Sequence, residues 1–195
     1  MILASEDVLS EAVLRRLLSA FRPELAVSAS LGLRGKSYLQ SRARELNRTA
    51  RGVPVFLLVD LDRPSSCAPE LLAEWFGTPL EPQMLFRVAV VEVESWLLAD
   101  RHGLSTFIGV PVNRIPLLTD GIEQPKEFLV NLARRAKRRA VREELVPEPG
   151  ATTSVGPGYN SQLSWFVSQG WNPSAAAASS DSLRRGIDRL CAFTP

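Results

Sequence analysis

Apolar positions along this chain follow two rhythms. Ile2–Ser5 is a short apolar start that predicts a strand. Val8, Val13, Leu14, Leu17, Leu18 and Phe21 then recur at helical spacing, and Pro23 closes that helix. Leu25–Leu31 predicts a second strand, Gly32 and Gly35 a loop, and Lys36–Ala50 a polar, arginine-rich helix. The run at Val55–Asp62 reads Val-Phe-Leu-Leu-Val-Asp-Leu-Asp, with Pro54 before it and Arg63-Pro64 after it. A nearly continuous apolar run of this length predicts a central parallel strand buried on both faces. Pro69–Phe76 predicts a short helix with proline near its start, where proline is tolerated. Leu85–Val93 predicts a further strand, and Glu94–Ala99 and Gly103–Ile108 predict short helical pieces.

Beyond Gly109 the strand signal stops. Pro111, Pro116 and Pro125 punctuate a loop, and Lys126–Leu145 predicts a long helix. Pro147–Gly158 predicts a loop, and Tyr159–Ser168, Pro173–Ser179 and Ser182–Ala192 predict helices. Strands alternating with helices imply an α/β fold with a mostly parallel sheet flanked by helices. The expected organisation is an α/β unit over residues 1–109 and a helical C-terminal part over 110–195, packed as one compact domain.

The chemistry suggested by this pattern is acidic. At two-residue spacing along a strand, Asp60 and Asp62 point to the same side. They would lie at the strand's C-terminal end, where open α/β sheets place their sites. Adjacent carboxylates repel unless a proton or a cation intervenes, and a hard divalent cation takes oxygen ligands. The plain alternative is that Asp60 caps the next turn and Asp62 is solvated. Glu6 follows the first strand, and Glu92 and Glu94 follow the later one. If these strands are adjacent and parallel, the acids gather at one edge. Taken singly, Glu6 also suits a helix N-terminus, and Glu92 and Glu94 suit an edge strand or a helix cap. Asp100 reads as a turn residue.

Charge alters this picture only locally. The formal net charge is +2 over 195 residues, which does not point to nucleic acid by itself. Yet Arg134, Arg135, Lys137, Arg138, Arg139 and Arg142 follow one another without an acid. On one helix Arg134, Arg138 and Arg142 share a face, as do Arg135 and Arg139. That face could meet phosphates, or be solvated beside Glu143 and Glu144. Lys126, at the start of that helix, could stabilise developing phosphate charge. Gly156-Pro-Gly-Tyr-Asn160 is a close-approach loop that could present Tyr159 or Asn160 to a substrate, or serve as a turn with Asn160 as helix cap. Gly32-Leu-Arg-Gly-Lys-Ser37 lacks the spacing of a phosphate-binding loop, although Arg34 and Lys36 could still meet a phosphate.

Other classes are excluded or disfavoured. His102 is the only histidine, and Cys67 and Cys191 form neither a zinc pattern nor a disulfide framework. Trp75, Trp96, Trp165 and Trp171 read as packing residues. No apolar run approaches the roughly 18 residues that span a bilayer, and the N-terminus lacks a basic region of the signal-peptide kind. A cytoplasmic location is the expectation.

Ser-Glu-Asp at 5–7, Val-Asp-Leu-Asp at 59–62 and Val-Glu-Val-Glu-Ser-Trp-Leu-Leu-Ala-Asp at 91–100 resemble a bacterial family of uncharacterised Toprim-like proteins. This family is related to the Toprim domain of the overcoming-lysogenization-defect nucleases. Pro125-Lys126-Glu127 and the closing helices fit the same resemblance, which therefore covers most of the chain. Asp7 stands where Toprim proteins usually carry glycine. The resemblance implies a Rossmann-like sheet and Mg²⁺- or Mn²⁺-dependent phosphodiester chemistry. It implies Glu6, Asp60, Asp62 and Glu94 as metal ligands, with Glu6 as ligand or general base, and Glu11 and Glu92 as further candidates. It also implies an ATPase partner, as in phage-defence systems. The leading expectation is a metal-dependent nuclease in which Lys126 and Arg134, Arg135, Arg138, Arg139 and Arg142 hold the nucleic-acid backbone. The alternative is a non-catalytic binding or regulatory module with the same fold. A phosphotransferase with Asp60 as nucleophile is a weaker third.

Overall fold

The computed structural model describes residues 1–62 and 67–195. Arg63 and Pro64, expected to end the central strand, lie outside the described residues. Among these, four strands form one all-parallel sheet: β1 (Ile2–Ser5), β2 (Ala29–Gly32), β3 (Val55–Asp60) and β4 (Met84–Ala89), in the order β2-β1-β3-β4. The helices are α1 (Val8–Phe21), α2 (Lys36–Thr49), α3 (Ala68–Phe76), α4 (Val93–Ala99), α5 (Arg101–Ile108), α6 (Pro125–Ala133), α7 (Arg139–Leu145), α8 (Tyr159–Gln169), α9 (Pro173–Ala176) and α10 (Asp181–Cys191). The fold is α/β and Rossmann-like, with helices on both faces of a parallel sheet.

The continuous apolar run of β3 is explained by its position. Every residue of the strand is buried. Phe56 and Leu58 join Leu3 and Leu85 on the face covered by α1 and the C-terminal helices. Val55, Leu57 and Val59 join Ala4, Met84 and Phe86 on the face covered by α2 and α3. Each large side chain buried in this way contributes roughly 1.5–3 kcal/mol, so a one-residue slip of β3 would exchange two fully apolar environments. The helical C-terminal part completes the first face: α8 packs on α1, and α10 packs on β4 and α1. Trp96, Tyr159, Phe166 and Trp171 are all fully buried there. Trp165 departs from the packing role expected of it and is 58% exposed.

Three elements differ from expectation. The second strand is only Ala29–Gly32, because Pro23–Leu25 form a turn and Ala26–Ser28 approach the sheet irregularly. The strand expected over Leu85–Val93 stops at Ala89, and Glu92 is the N-cap of α4. The long helix expected over Lys126–Leu145 is two helices, broken at residues 134–138. One continuous helix would stack Arg134 on Arg138 and Arg135 on Arg139, and like charges four apart destabilise a helix. Tight turn bonds, from Arg135 N–H to the Leu132 carbonyl and from Ala136 N–H to the Ala133 carbonyl, end α6 instead.

Candidate functional site

The strand order sets β1, β3 and β4 side by side and parallel, so the acids that follow them meet at one edge. Glu6 leaves β1, and its Oε1 accepts from the Asp60 backbone N–H at 3.0 Å. The next residue, Asp7, caps α1 by accepting from Ser10 N–H at 2.8 Å. A carboxylate here satisfies an orphan helix donor, which gives a structural reason for aspartate after Glu6. Asp60 is the last residue of β3 and 9% exposed. Its Oδ1 accepts from Val93 N–H, the first residue of α4, at 2.8 Å. Asp60 thus caps a helix that begins 33 residues later in the chain.

Glu94 sits in the first turn of α4 and is 1% exposed. Its Oε1 accepts from the Tyr159 hydroxyl at 3.1 Å. Its Oε2 is buried without a hydrogen-bond partner. Lys126 Nζ lies 3.7 Å from Glu94 Oε1 and 3.8 Å from Glu92 Oε1. The Lys126 backbone N–H donates to Glu92 Oε2 at 2.9 Å, so Glu92 fixes the start of α6. Tyr159 reaches Glu94 because the loop before α8 lies directly against the end of α7. Gly156 N–H donates to the Leu145 carbonyl and Gly158 N–H to the Glu144 carbonyl. A Cβ at Gly156 would lie 2.4 Å from the Glu144 carbonyl oxygen, so only glycine allows this approach.

Burial, with neighbouring carboxylates adding to it, pushes Glu6, Asp60 and Glu94 toward their protonated forms. Burial first, then the charge of Glu92, raise the Glu94 pKa to about 7 against the opposing effect of Lys126. Burial, followed by Glu94, Glu6 and Asp62, holds Asp60 well above the usual carboxylate range. Burial also raises Glu6, with Asp62 and Asp7 adding to it and the Asp60 N–H and Lys36 opposing. Burial works against the charge of Lys126, but Glu94, Glu92 and Asp60 outweigh it and its pKa is raised. Tyr159 is also raised, by burial and by Glu94.

The other expected residues are distributed as follows. β3 ends at Asp60, so strand alternation does not govern Asp62, which has a positive φ of 64°. Asp62 is about half exposed and pairs with Lys36 Nζ at 2.6 Å. Lys36 also donates to the Asp60 carbonyl at 2.6 Å, a tie between α2 and the end of β3 that the sequence does not reveal. Asp62, Glu92, Glu123, Lys126, Glu127 and Ser154 line a cleft of about 300 Å³ beside the buried acids. Glu11 lies apart, held by Arg15 at 2.7 Å and by the Ser30 hydroxyl. Asn160 is exposed, and Gly158 rather than Asn160 is the cap of α8. Asp100 caps α5 through Gly103 N–H and also accepts from Asn172 N–H.

The basic run does not form the expected single helical face. Arg134 ends α6, Arg135 and Arg138 lie in the break, and Arg139 and Arg142 belong to α7. Arg139 pairs with Glu143, and Arg142 donates to the Ala136 carbonyl. Arg134 is eight residues beyond Lys126, about 12 Å along the helix axis, so the run begins away from the acids.

Among the described residues no group of three or more His, Cys, Asp or Glu side chains is gathered tightly enough to hold a metal ion. No family model matches the chain, and neither a curated protein nor a solved structure matches it.

Proposed function

We propose that the acids at the C-terminal edge of the sheet take a divalent cation, Mg²⁺ or Mn²⁺, and that the chain hydrolyses phosphodiester bonds as a Toprim-type nuclease. The observation that carries this reading is Glu94 Oε2, a carboxylate oxygen buried without a partner beside Asp60. Unpaired buried acceptors are costly, and several neighbouring carboxylates multiply the cost. Hard divalent cations prefer such an all-oxygen donor set.

Glu6, Asp60 and Glu94 would be ligands drawn inward from the wider spacing they have here, Asp60 and Glu94 from buried positions and Glu6 from a half-buried one. Asp62 would join them from the rim after releasing Lys36. The cation would polarise a phosphoryl oxygen and favour ionisation of water. Lys126 keeps its proton and sets a positive charge between Glu92 and Glu94, where it can also meet a phosphate oxygen. The cleft is lined by four carboxylates and one lysine, so an anionic substrate would be repelled from it without a cation. Glu6 would hold a proton from water on the side of β1.

Cleavage of mixed DNA and RNA with Mn²⁺ and with Mg²⁺ tests the reading. The expected result is cutting that requires metal and is lost in Asp60→Asn and in Glu94→Gln. Asparagine keeps an acceptor for Val93 N–H, so loss of activity would not be loss of the α4 cap. Cutting by both variants at the wild-type rate would overturn the assignment.

A second reading is favoured by a specific observation. Each of these acids already has a structural partner: Asp60 N–H for Glu6, Val93 N–H for Asp60 and Tyr159 for Glu94. On that reading the fold is a non-catalytic module acting with a partner protein such as an ATPase. It predicts a folded protein that neither cuts nor binds Mn²⁺.

A further inference from the structure

The outer edge of β4 is a separate feature of the molecule. β4 is the last strand of the sheet. The carbonyls of Gln83 and Ala89 accept from Val55 and Leu61 of the β3 segment. Residues 83, 85, 87 and 89 therefore turn their backbone groups toward β3, and Phe86 and Val88 turn theirs outward. Among the described residues nothing pairs with the outward N–H and C=O of Phe86 and Val88. Natural sheets usually cover or disrupt such an edge.

This edge forms the floor of a groove of about 600 Å³, with Pro69 and Leu72 of α3 on one side and Ser182 and Arg185 of α10 on the other. The two walls differ. The α3 wall is apolar and continues the cluster that contains Phe86. The α10 wall is polar and of mixed charge, with Asp120, Asp181, Ser182 and Arg185 along it and Arg87 at its foot. Arg87 projects from β4 beneath α10, with its Nε buried and unpartnered. Burial lowers its pKa, and the positive charge of Arg189 adds to that effect. Among the described residues no carboxylate pairs with Arg87 or Arg189. The acids nearby are already engaged: Asp181 pairs with Arg184 and Arg185, and Asp120 accepts from the Ser180 hydroxyl and Ser182 N–H.

We infer that β4 accepts an extended segment of a partner protein as a fifth strand, and that this segment alternates acidic and apolar side chains. Main-chain bonds to Phe86 and Val88 would supply its backbone recognition. Side chains of an added strand alternate between the two faces. One set would meet the Arg87–Arg189 wall, where carboxylates pair well with guanidinium groups. The other set would pack against Pro69 and Leu72. Pairing of β4 with a second copy of this chain is disfavoured by the same charges, because a two-fold axis through the edge would set Arg87 and Arg189 against their own equivalents.

The test is binding of a fluorescent Val-Glu-Val-Glu-Val-Glu-Val peptide to the full chain, against the same peptide with lysine in place of glutamate. Anisotropy reads affinity, and amide hydrogen exchange reads the place of binding. The acidic peptide is expected to bind at least ~10-fold more tightly. It should slow exchange of the Phe86 and Val88 amides, while those of Leu85 and Arg87 are protected already. Arg87→Gln combined with Arg189→Gln should remove the preference for acid. Val88→Pro removes one outward donor without touching the β3 ladder and should weaken both peptides. The inference is overturned if the lysine peptide binds equally well, or if the acidic peptide leaves Phe86 and Val88 exchange unchanged. It is also overturned if the free protein is a dimer that Val88→Pro converts to a monomer. The exchange readout and the arginine variants decide the matter even if Val88→Pro does not fold.

Discussion

Glu94 concentrates the energetics of the candidate site in one side chain. Its pKa in the folded chain is about 7, against 4.5 as the ordinary value. Between those values the folded state binds a proton that the unfolded state does not. Stability from this group is therefore fully present below about pH 4.5 and is lost as pH rises through about 7. A shift of this size is worth on the order of 3 kcal/mol. Glu6 and Asp60 are raised as well, so they act in the same direction. Without divalent ions, the thermal midpoint should fall from pH 5 to pH 8. Glu94→Gln should flatten much of that fall and raise the midpoint at pH 8, because glutamine still accepts from Tyr159 and carries no charge. A variant that melts with the wild-type pH profile would show that Glu94 is not the group concerned. Lys126→Met should have the opposite effect, lowering stability at pH 8 by about 1–2 kcal/mol and less at pH 5. The magnitude is modest because Lys126 is 38% exposed and partly screened. Urea titration at the two pH values measures both.

At the scale of elements, the sequence reads well where a pattern is local and poorly where a long-range partner decides. β3 is legible because burial on both faces leaves an unbroken apolar run. The end of α1 is legible from Pro23, and the acids at Glu6 and Asp60 from their position after strands. Asp62 was expected to share a side with Asp60, but the strand ends two residues before it, so alternation does not apply. The break between α6 and α7 was missed, because apolar periodicity favours one helix; the like charges four apart explain it only once the two helices are seen. Tyr159 was legible only as a loop candidate. Its bond to Glu94 depends on Gly156 and Gly158 lying against α7, and glycine at two positions does not say which backbone it approaches. Gly156→Ala tests that dependence. Its Cβ would meet backbone atoms of Glu144, Leu145 and Val146, which cannot move aside cheaply. Destabilisation of about 2–3 kcal/mol is expected, with weakened protection around Tyr159. Wild-type stability in this variant would show that the loop is not held by that contact.

At the scale of the whole molecule, the sheet order does what no segment does alone. Placing β1 between β2 and β3, and β4 beyond β3, brings Glu6, Asp60 and Glu94 together from three separate stretches. Strand order is not written in local patterns, so convergence of the acids could be stated from the sequence only as a condition. The helical C-terminal part contributes Tyr159 to the same place and covers the sheet face on which Asp60 lies. The site thus draws on both ends of the chain, and its acids are raised toward neutrality by the burial which that cover imposes. A divalent cation would reverse this tendency by favouring the ionised forms. The most direct measurement is calorimetric titration of Mn²⁺ into the wild-type chain, Asp60→Asn and Glu94→Gln at pH 7.5. The account predicts saturable binding with proton release in the wild type and none in either variant. Equal heats in all three proteins, or no binding by the folded wild type, would contradict it.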